Sequence, residues 1–208
     1  MKIVIKGLLT GLFLQLAVGP IFFYIMNLVL QKSLLDGFFA VLAVTLVDYF
    51  YITLSIVGIG KLLEHKKWKK IVGTISSLIL AIFGTLLIYK ATSVATPSDE
   101  TIMTTSLLFS FTSTFLLTIS SPMTMVFYTG LFSAKAIEHN FKKRELLIFG
   151  LSVGLATFIF MGTSVTIFSA IKEVVPVTLI KTANILVGSL LIIYGLVRIK
   201  PILKPENN

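Results

Sequence analysis

One long apolar stretch that holds a single charged side chain constrains the fold of this protein more than any other feature. The stretch runs from Gly37 to Gly60, and Asp48 is its one charged residue. Its 24 residues would extend about 36 Å as a helix, enough to cross a hydrocarbon core of about 30 Å. Asp48 would then lie near the bilayer midplane, where a carboxylate is normally kept because it faces a cavity, a partner or a proton pathway.

Asp48 shares its predicted helix face with other polar side chains. Thr45, Asp48, Tyr51 and Ser55 follow one another at spacings of three or four residues. This spacing places them on one side of an α-helix. We therefore expect a polar face at membrane depth, and Asp48 is the leading candidate for a functional group.

The composition indicates an integral membrane protein. Hydrophobic residues make up 56% of the chain and charged residues 13%, against about 25% charged residues in a soluble domain. The net charge of +9 does not indicate nucleic-acid binding, because the basic residues lie between the apolar stretches. Without cysteine, disulfides, thiolate metal sites and thiol redox chemistry are excluded. We expect no metal and no cofactor.

The apolar runs predict an all-α membrane protein with six transmembrane helices. The predicted spans are 7–30, 37–60, 71–89, 107–132, 146–171 and 182–197, the last lengthened by Lys181 at the interface. Lys2 and Lys6 before the first run resemble the start of a signal peptide, but the run of 24 residues is too long for one.

The basic residues predict the orientation of these spans. With six spans, 14 lysines and arginines lie on the side of the two termini and the second and fourth loops, and four lie on the other side. Such a bias places both termini in the cytoplasm. The four residues on the external side are Lys32, Lys90, Lys172 and Lys181.

The two halves of the chain resemble each other. LQLAVGPIFFYIMNLVL (14–30) aligns with LLTISSPMTMVFYTGLF (116–132), and LAIFG (80–84) aligns with LIIYG (191–195). Each block occupies the same position in its half, which indicates a repeat. We predict one membrane domain, residues 1–208, with a first three-helix repeat (1–90), a linker (91–100) and a second repeat (101–200). An odd number of spans per half inverts the second repeat relative to the first.

Prolines interrupt the first helix of each half. Pro20 follows Gly19, and Pro122 follows Ser120 and Ser121, whose hydroxyls can satisfy freed carbonyls. Broken helices at membrane depth are tolerated where they line a cavity or are buried in protein, and secondary transporters bind substrate there. A simple kink is the alternative. The predicted substrate-binding residues are Gln15, Gly19, Pro20, Asp48, Ser120, Ser121 and Pro122.

With these motifs the chain resembles the lysine exporter (LysE) family of amino acid export translocators. The similarity covers nearly the whole chain: Gly19-Pro20 in the first span, Asp48 in the second, Pro122 in the fourth, and the LAIFG and LIIYG glycines. It implies a bacterial inner-membrane protein that exports amino acids or related compounds, using the proton gradient, and it leaves a homo-oligomer open. The family often has Pro-Gly-Pro where this chain has Val18-Gly19-Pro20, and Asn-Pro where it has Ser121-Pro122.

The sequence therefore favours a secondary transporter with an amino acid as substrate and membrane lipid as surroundings. Asp48 would be either a proton-coupling group or a counter-charge for an amino group, and helix N-termini at the breaks could receive a carboxylate. A cation permease with Asp48 as ligand is an alternative, although no span carries cysteine, histidine or a second carboxylate. An intramembrane enzyme lacks the necessary residue pairs. A non-transporting structural protein is a further alternative.

Overall fold

The computed structural model describes residues 2–16, 19–57, 66–92, 106–139 and 141–203. These residues form eight α-helices, and a short 3₁₀ helix, Lys172–Val174, lies between the last two. The α-helices are α1 (Lys2–Gln15), α2 (Pro20–Gln31), α3 (Leu34–Val57), α4 (Lys66–Thr92), α5 (Leu107–Ile119), α6 (Pro122–Glu138), α7 (Lys143–Ile171) and α8 (Val177–Leu203).

Several of these helices are long and apolar enough to cross a membrane. Among the described residues, three single helical segments qualify: Leu34–Val57, Lys143–Val174 and Thr178–Val197. The bent pairs α1–α2 and α5–α6 each qualify when taken together, which gives up to five spans. In α4 the apolar segment is shorter, Ser77–Tyr89. The all-helical membrane class is thus confirmed, whereas the count of six spans stays a prediction.

The helices extend beyond several predicted boundaries. The predicted first span is two helices, α1 and α2, and the predicted fourth span is α5 and α6. α4 continues through Thr92, two residues into the predicted linker, and α6 continues past Phe132 to Glu138. Neither extension contains glycine or proline, so nothing in the local sequence stops the helix earlier. Residues 93–100, the rest of the linker, lie outside the described residues.

Large apolar side chains are exposed on the outer faces of the bundle. On α1, Leu9 and Phe13 are 62% and 76% exposed, and Leu16, directly after this helix, is 65% exposed. Exposed leucines and isoleucines recur on α4, α7 and α8. Such surfaces would be unstable in water but match the hydrocarbon of a bilayer.

Two helix pairs pack antiparallel, and in the pair α4 and α8 the two backbones approach each other closely. A Cβ added at Gly84 of α4 would lie 2.5 Å from the Gly188 carbonyl oxygen of α8, and one at Gly188 would lie 2.6 Å from that of Gly84. Farther along, Gly195 faces the Ser77 carbonyl. In the second pair, α3 and α7, the ring of Tyr49 fills the space beside Gly154. One turn away on α7, Gly150 faces the side chains of Ile52 and Ile56 of α3.

Two other helix pairs run parallel. On α1, Gly7 faces Phe149 and Ser152 of α7, and Gly11 faces Val153 and Ala156 one turn later. The glycines of α1 thus allow close packing, as expected for small residues in membrane helices. In the pair α3 and α5, contacts progress in the same direction along both helices, because Asp36 bonds to Ser110 and Tyr51 bonds to Ile119.

α2 occupies the interior of the bundle. Its residues from Tyr24 to Leu30 are all buried, so this segment presents no side to the surroundings. Polar residues on it are paired with other helices: Tyr24 donates to Ser113 of α5 at 2.9 Å, and Asn27 donates to Asn184 of α8. Gln31 also donates to Asn184, at 3.0 Å. Asn184 thus forms the interhelical hydrogen bonds typical of amides in membrane helices.

Hydrogen bonds between Ser33 and Asp36 close the turn between α2 and α3. Ser33 donates to the Asp36 carboxylate at 2.6 Å and accepts from the Asp36 backbone N–H at 3.1 Å. Ser110 of α5 donates to the other carboxylate oxygen at 2.5 Å. Ser33 therefore caps the N-terminus of α3, and the buried Asp36 carboxylate holds the Ser33 hydroxyl in place. This cap explains why the helix begins three residues before the predicted start at Gly37.

Candidate functional site

The first helix break lies between Gln15 and Pro20. α1 ends at Gln15, α2 begins at Pro20, and the two axes differ in direction by 80°. Proline suits the first position of a helix because it has no N–H to leave unpaired. Gly19 precedes it in an extended conformation (φ −114°, ψ 179°), and its carbonyl accepts from the Phe22 N–H at 3.1 Å.

The second break lies between Ile119 and Pro122, and α6 turns away from α5 by 64°. Because Pro122 has no N–H, the Thr118 carbonyl loses its usual helical partner. It instead accepts from the Ser121 N–H at 3.0 Å. The Ser120 hydroxyl donates to the Leu116 carbonyl at 2.5 Å, but this carbonyl also accepts from the Ser120 N–H at 3.1 Å and is not freed by Pro122. The freed Thr118 carbonyl is therefore satisfied by a backbone N–H and not by the serine hydroxyls that the sequence suggested.

A cavity of about 420 Å³ lies where the two breaks meet. This volume falls within the range of about 300–1,000 Å³ typical of small-molecule sites. It is lined mainly by apolar and aromatic side chains, with few polar groups. The lining residues are Leu14, Gln15, Gly19, Pro20, Ile21, Phe22, Val44, Asp48, Leu80, Leu117, Thr118, Ser121, Thr124, Phe127, Tyr128, Met161 and Tyr194.

The structure brings five of the seven predicted site residues to this cavity. They are Gln15, Gly19, Pro20, Asp48 and Ser121. Ser120 is not among the lining residues, and its hydroxyl is bonded to its own helix. The backbone of Pro122 begins α6, while its side chain lies outside the described part of the chain.

Asp48 is the one charged residue among those that line the cavity. It is 5% exposed and accepts a hydrogen bond from the Thr157 hydroxyl of α7 at 2.9 Å. The phenol of Tyr128, on α6, interacts with the same carboxyl group and with Thr157. Three helices thus hold this carboxyl group at the cavity wall.

The polar face predicted around Asp48 is buried as a whole. Thr45, Asp48, Tyr51 and Ser55 are all buried. Thr45 and Ser55 donate to carbonyls of their own helix, at 2.8 and 2.7 Å, and Tyr51 donates to the Ile119 carbonyl at 2.6 Å. Of this face, Asp48 is the residue that lines the cavity; Tyr51 instead ties α3 to the end of α5.

A hydrogen-bonded chain links the first break to Asp48. Gln15, the last residue of α1, donates its amide N–H to the Thr157 hydroxyl at 2.7 Å. Thr157 in turn donates to Asp48. The predicted contact residue Gln15 therefore lines the cavity and also braces a neighbouring helix.

Sequence reasoning missed Thr157 and Tyr128. Thr157 lies three residues after Gly154, on the face of α7 that packs against α3. Its spacing from Gly154 is the signal in the sequence that could have placed it on this face. Tyr128 lies six residues after Pro122, so it belongs to the helix that leaves the second break. For Tyr128, the uncharged sequence around it gave no further reason to single it out.

The electrostatics of the cavity combine one carboxylate with two helix N-termini. The starts of α2 and α6 contribute Pro20 and Ser121 to its lining, and helix N-termini carry partial positive charge. Among the described residues, no group of three His, Cys, Asp or Glu could hold a metal ion.

Outside the spans, a hydrogen bond of 2.7 Å from Lys135 lowers the pKa of Glu138 at the end of α6.

The sequence profile described as LysE type translocator matches residues 12–199. The chain belongs to the LysE-type translocator family. The match includes both helix breaks, Asp48 and all of α3 and α7. Comparisons with curated proteins and with solved structures return no match.

Membership in the LysE-type translocator family confirms the resemblance seen in the sequence. It indicates a multi-pass membrane transporter, rather than an enzyme, for amino acids or related compounds. One of the two departures from the usual family pattern, Ser121, lines the cavity. The other, Val18, lies outside the described residues.

Proposed function

We propose that this protein is a proton-coupled exporter that releases a neutral amino acid from the cytoplasm in exchange for a proton. The observation that carries this proposal is the cavity, which is lined by Asp48 together with the N-termini of two broken helices. A zwitterion needs both signs of complementary charge in one pocket, and these groups supply both.

Each end of an amino acid has a complementary group in this arrangement. The α-ammonium group pairs with the Asp48 carboxylate, which removes the cost of a lone buried charge. The α-carboxylate binds at the starts of α2 and α6, where backbone N–H groups and the helix dipoles favour an anion. The hydroxyls of Ser121 and Thr124, both at the cavity wall, add donors at the second of these helix ends.

Competition for Asp48 supplies the coupling. One carboxylate cannot hold a proton and pair with an ammonium group at the same time. A proton that enters from outside therefore displaces the substrate, and a substrate that enters from the cytoplasm displaces the proton. Mutually exclusive binding at one site gives antiport when the protein reorients only with a proton or a substrate on Asp48, and it requires no second ionisable group.

The lining of the cavity favours a substrate with an uncharged side chain. Once Asp48 pairs with the α-ammonium group, no second charged residue remains among the lining residues. A lysine or glutamate side chain would then be buried without a partner, which is strongly unfavourable. The walls offer apolar and aromatic groups such as Leu117, Phe127 and Met161, which suit an apolar side chain.

We infer further that the two halves form inverted repeats about an axis in the membrane plane. Such an axis would exchange α1 with α5, α2 with α6, α3 with α7 and α4 with α8. The parallel pair α1–α7 would then correspond to the pair α5–α3, which is also parallel. The axis would also map the antiparallel pairs α3–α7 and α4–α8 onto themselves. The observed directions of these four packings support the proposal, and such repeats are common in secondary transporters.

Alternating access would then expose the cavity to the two sides of a bacterial plasma membrane in turn. Both termini would lie in the cytoplasm, as the basic residues predict. The cation permease is less well supported, because one carboxylate among mostly apolar walls offers few oxygen ligands to a metal ion.

The test is transport by the purified protein in liposomes with an imposed pH gradient. Wild-type protein should move neutral amino acids such as leucine or methionine against their gradient, and acidic or basic ones at least about tenfold more slowly. Asp48→Asn keeps the size and hydrogen bonding of the side chain but removes its titration. We expect normal membrane levels and the loss of gradient-driven transport in this variant.

Three outcomes would count against the proposal. Wild-type rates and an unaltered pH dependence in Asp48→Asn would exclude Asp48 as the coupling group. Equal transport of glutamate and leucine would exclude the assignment of substrate class. Movement of a metal cation, but of no amino acid, would favour the permease.

A further inference from the structure

The hydroxyl proton of Thr157 is used differently from those of other buried threonines in this bundle. Thr45, Thr114 and Thr118 each donate to the carbonyl four residues earlier in their own helix, at 2.8 Å. This is the usual arrangement for threonine in an apolar helix. Thr157 is equally buried but donates across to Asp48 of another helix.

Thr157 also accepts a hydrogen bond at the same oxygen. The Gln15 amide donates to it at 2.7 Å, so the order of donors runs from Gln15 to Thr157 to Asp48. A hydroxyl that donates to an ionised acceptor becomes a better acceptor itself, because hydrogen bonds in a chain polarise one another. The bond to Gln15 is therefore strongest when Asp48 is ionised and unoccupied.

We infer that Thr157 is a positioning residue that couples the state of Asp48 to the end of α1. This inference rests on the proposed function. When Asp48 is ionised, Thr157 holds Gln15 at the first helix break. When a proton or a substrate ammonium group neutralises Asp48, Thr157 loses its strong acceptor and the bond that holds α1 weakens. Occupancy of the carboxylate thereby changes the stability of the break itself.

The surroundings of Asp48 leave few other titratable groups to explain such coupling. Tyr128 of α6 faces the carboxyl group, Tyr49 is its neighbour on α3, and Tyr194 of α8 lines the same cavity. From α1 and α7, the contacts to this network are the neutral groups of Gln15 and Thr157. The direct path from Asp48 to the first break therefore passes through Thr157.

The experiment follows the ionisation of Asp48 directly, by infrared difference spectroscopy of the carboxyl group during a pH titration without substrate. The Asp48→Asn spectrum is subtracted to assign the signal. Thr157→Val keeps the shape and removes the donor to the ionised carboxylate. Because the ionised carboxylate loses a hydrogen bond, the midpoint of the Asp48 titration should move to about tenfold lower proton concentration. This is the size expected for the loss of a hydrogen bond to a charged group.

Three further variants test the chain rather than the local packing. Thr157→Ser restores the hydroxyl and should restore the midpoint. Thr114→Val removes an equally buried hydroxyl that bonds to its own helix and should leave the midpoint unchanged. Gln15→Leu should shift it in the same direction as Thr157→Val, by less, and should cause no further shift in the Thr157→Val background.

A wild-type midpoint in Thr157→Val, or an equal shift in Thr114→Val, would overturn the inference. So would a Gln15→Leu shift that persists in the Thr157→Val background, since that effect would not pass through the threonine. These readings need no transport, so they remain distinguishable from a failure of the proposed function. If Asp48→Asn removes no titrating carboxyl signal, the proposed coupling role of Asp48 itself fails.

Discussion

At the scale of single residues, Gly19 tests whether the cavity is a substrate site. Its backbone angles, φ −114° and ψ 179°, are extended values that any residue adopts. A Cβ added there meets no atom within 4 Å. Gly19→Ala should therefore fold and transport nearly as the wild type does. Gly19→Leu should also reach the membrane, but its side chain would fill part of the cavity and reduce transport at least about tenfold.

The measurement is initial efflux rate in liposomes, normalised to the amount of folded protein. Gly130→Leu is the control, because its site on α6 is exposed and a Cβ there also meets nothing within 4 Å. That variant should retain wild-type transport. Full activity in Gly19→Leu would place the substrate elsewhere.

Single residues differ in how much of their role the sequence alone could predict. Asp48 was predictable, since a charge inside an apolar span has few reasons to be there. Thr157 was not, because a helical threonine normally bonds to its own backbone and its partner depends on how α3 and α7 pack. The hydroxyls of Ser120 and Ser121 looked equivalent in sequence, but the break directs only Ser121 to the cavity lining.

At the scale of helices, the positions of the two breaks can be predicted from the prolines alone, without any tertiary contact. Pro20 and Pro122 each begin a helix, as expected from their missing N–H and fixed φ. The size of the turn between helices could not be predicted this way, because it depends on what each half-helix packs against. The burial of Tyr24 to Leu30 on all sides of α2 could likewise not be predicted, because most residues of this segment are apolar and they show no single buried face in the sequence.

The α4–α8 contact gives a prediction about helix packing. Gly84→Val or Gly188→Val would push a side chain against the opposing backbone, which cannot move aside as a side chain can. Overpacking of this kind typically lowers the free energy of unfolding by about 1–3 kcal/mol. Thermal denaturation in detergent should show a lower midpoint for both variants, and their membrane levels should fall.

Gly130→Val is the matched control for this packing prediction. It introduces the same residue into the exposed face of α6 and thus carries the same change in helix propensity without a clash. Its midpoint should stay close to that of the wild type. If all three variants lose the same stability, the loss reflects helix propensity and the close α4–α8 approach is not needed.

At the scale of the whole molecule, the two halves meet through pairs of equivalent helices. The sequence predicted the repeat from two aligned blocks, and the glycines of LAIFG and LIIYG both lie in the α4–α8 contact. What the blocks could not predict is that Gly84 opposes Gly188 rather than Gly195. The register of two packed helices depends on side chains along their whole length, and short motifs contain only part of that information.

The orientation of the molecule in the membrane is the prediction on which the inverted repeat depends. Because the chain has no cysteine, single cysteines at Thr96, Lys67, Asn140 and Asn208 can be labelled without background. In intact cells an impermeant maleimide should modify Thr96→Cys alone, since the basic residues place the other three positions in the cytoplasm. Those three should react only after the cells are permeabilised.

Labelling of Asn208→Cys but not of Lys67→Cys in intact cells would leave an odd number of spans between these two positions, where four are expected. The second half would then lack a complete third crossing, and α8 could not be the inverted counterpart of α4. Labelling of Thr96→Cys only after permeabilisation would give the first half an even number of crossings. The two halves would then share one orientation, and their broken helices would enter the cavity from the same side. Alternating access requires the opposite arrangement, in which one break faces each side of the membrane.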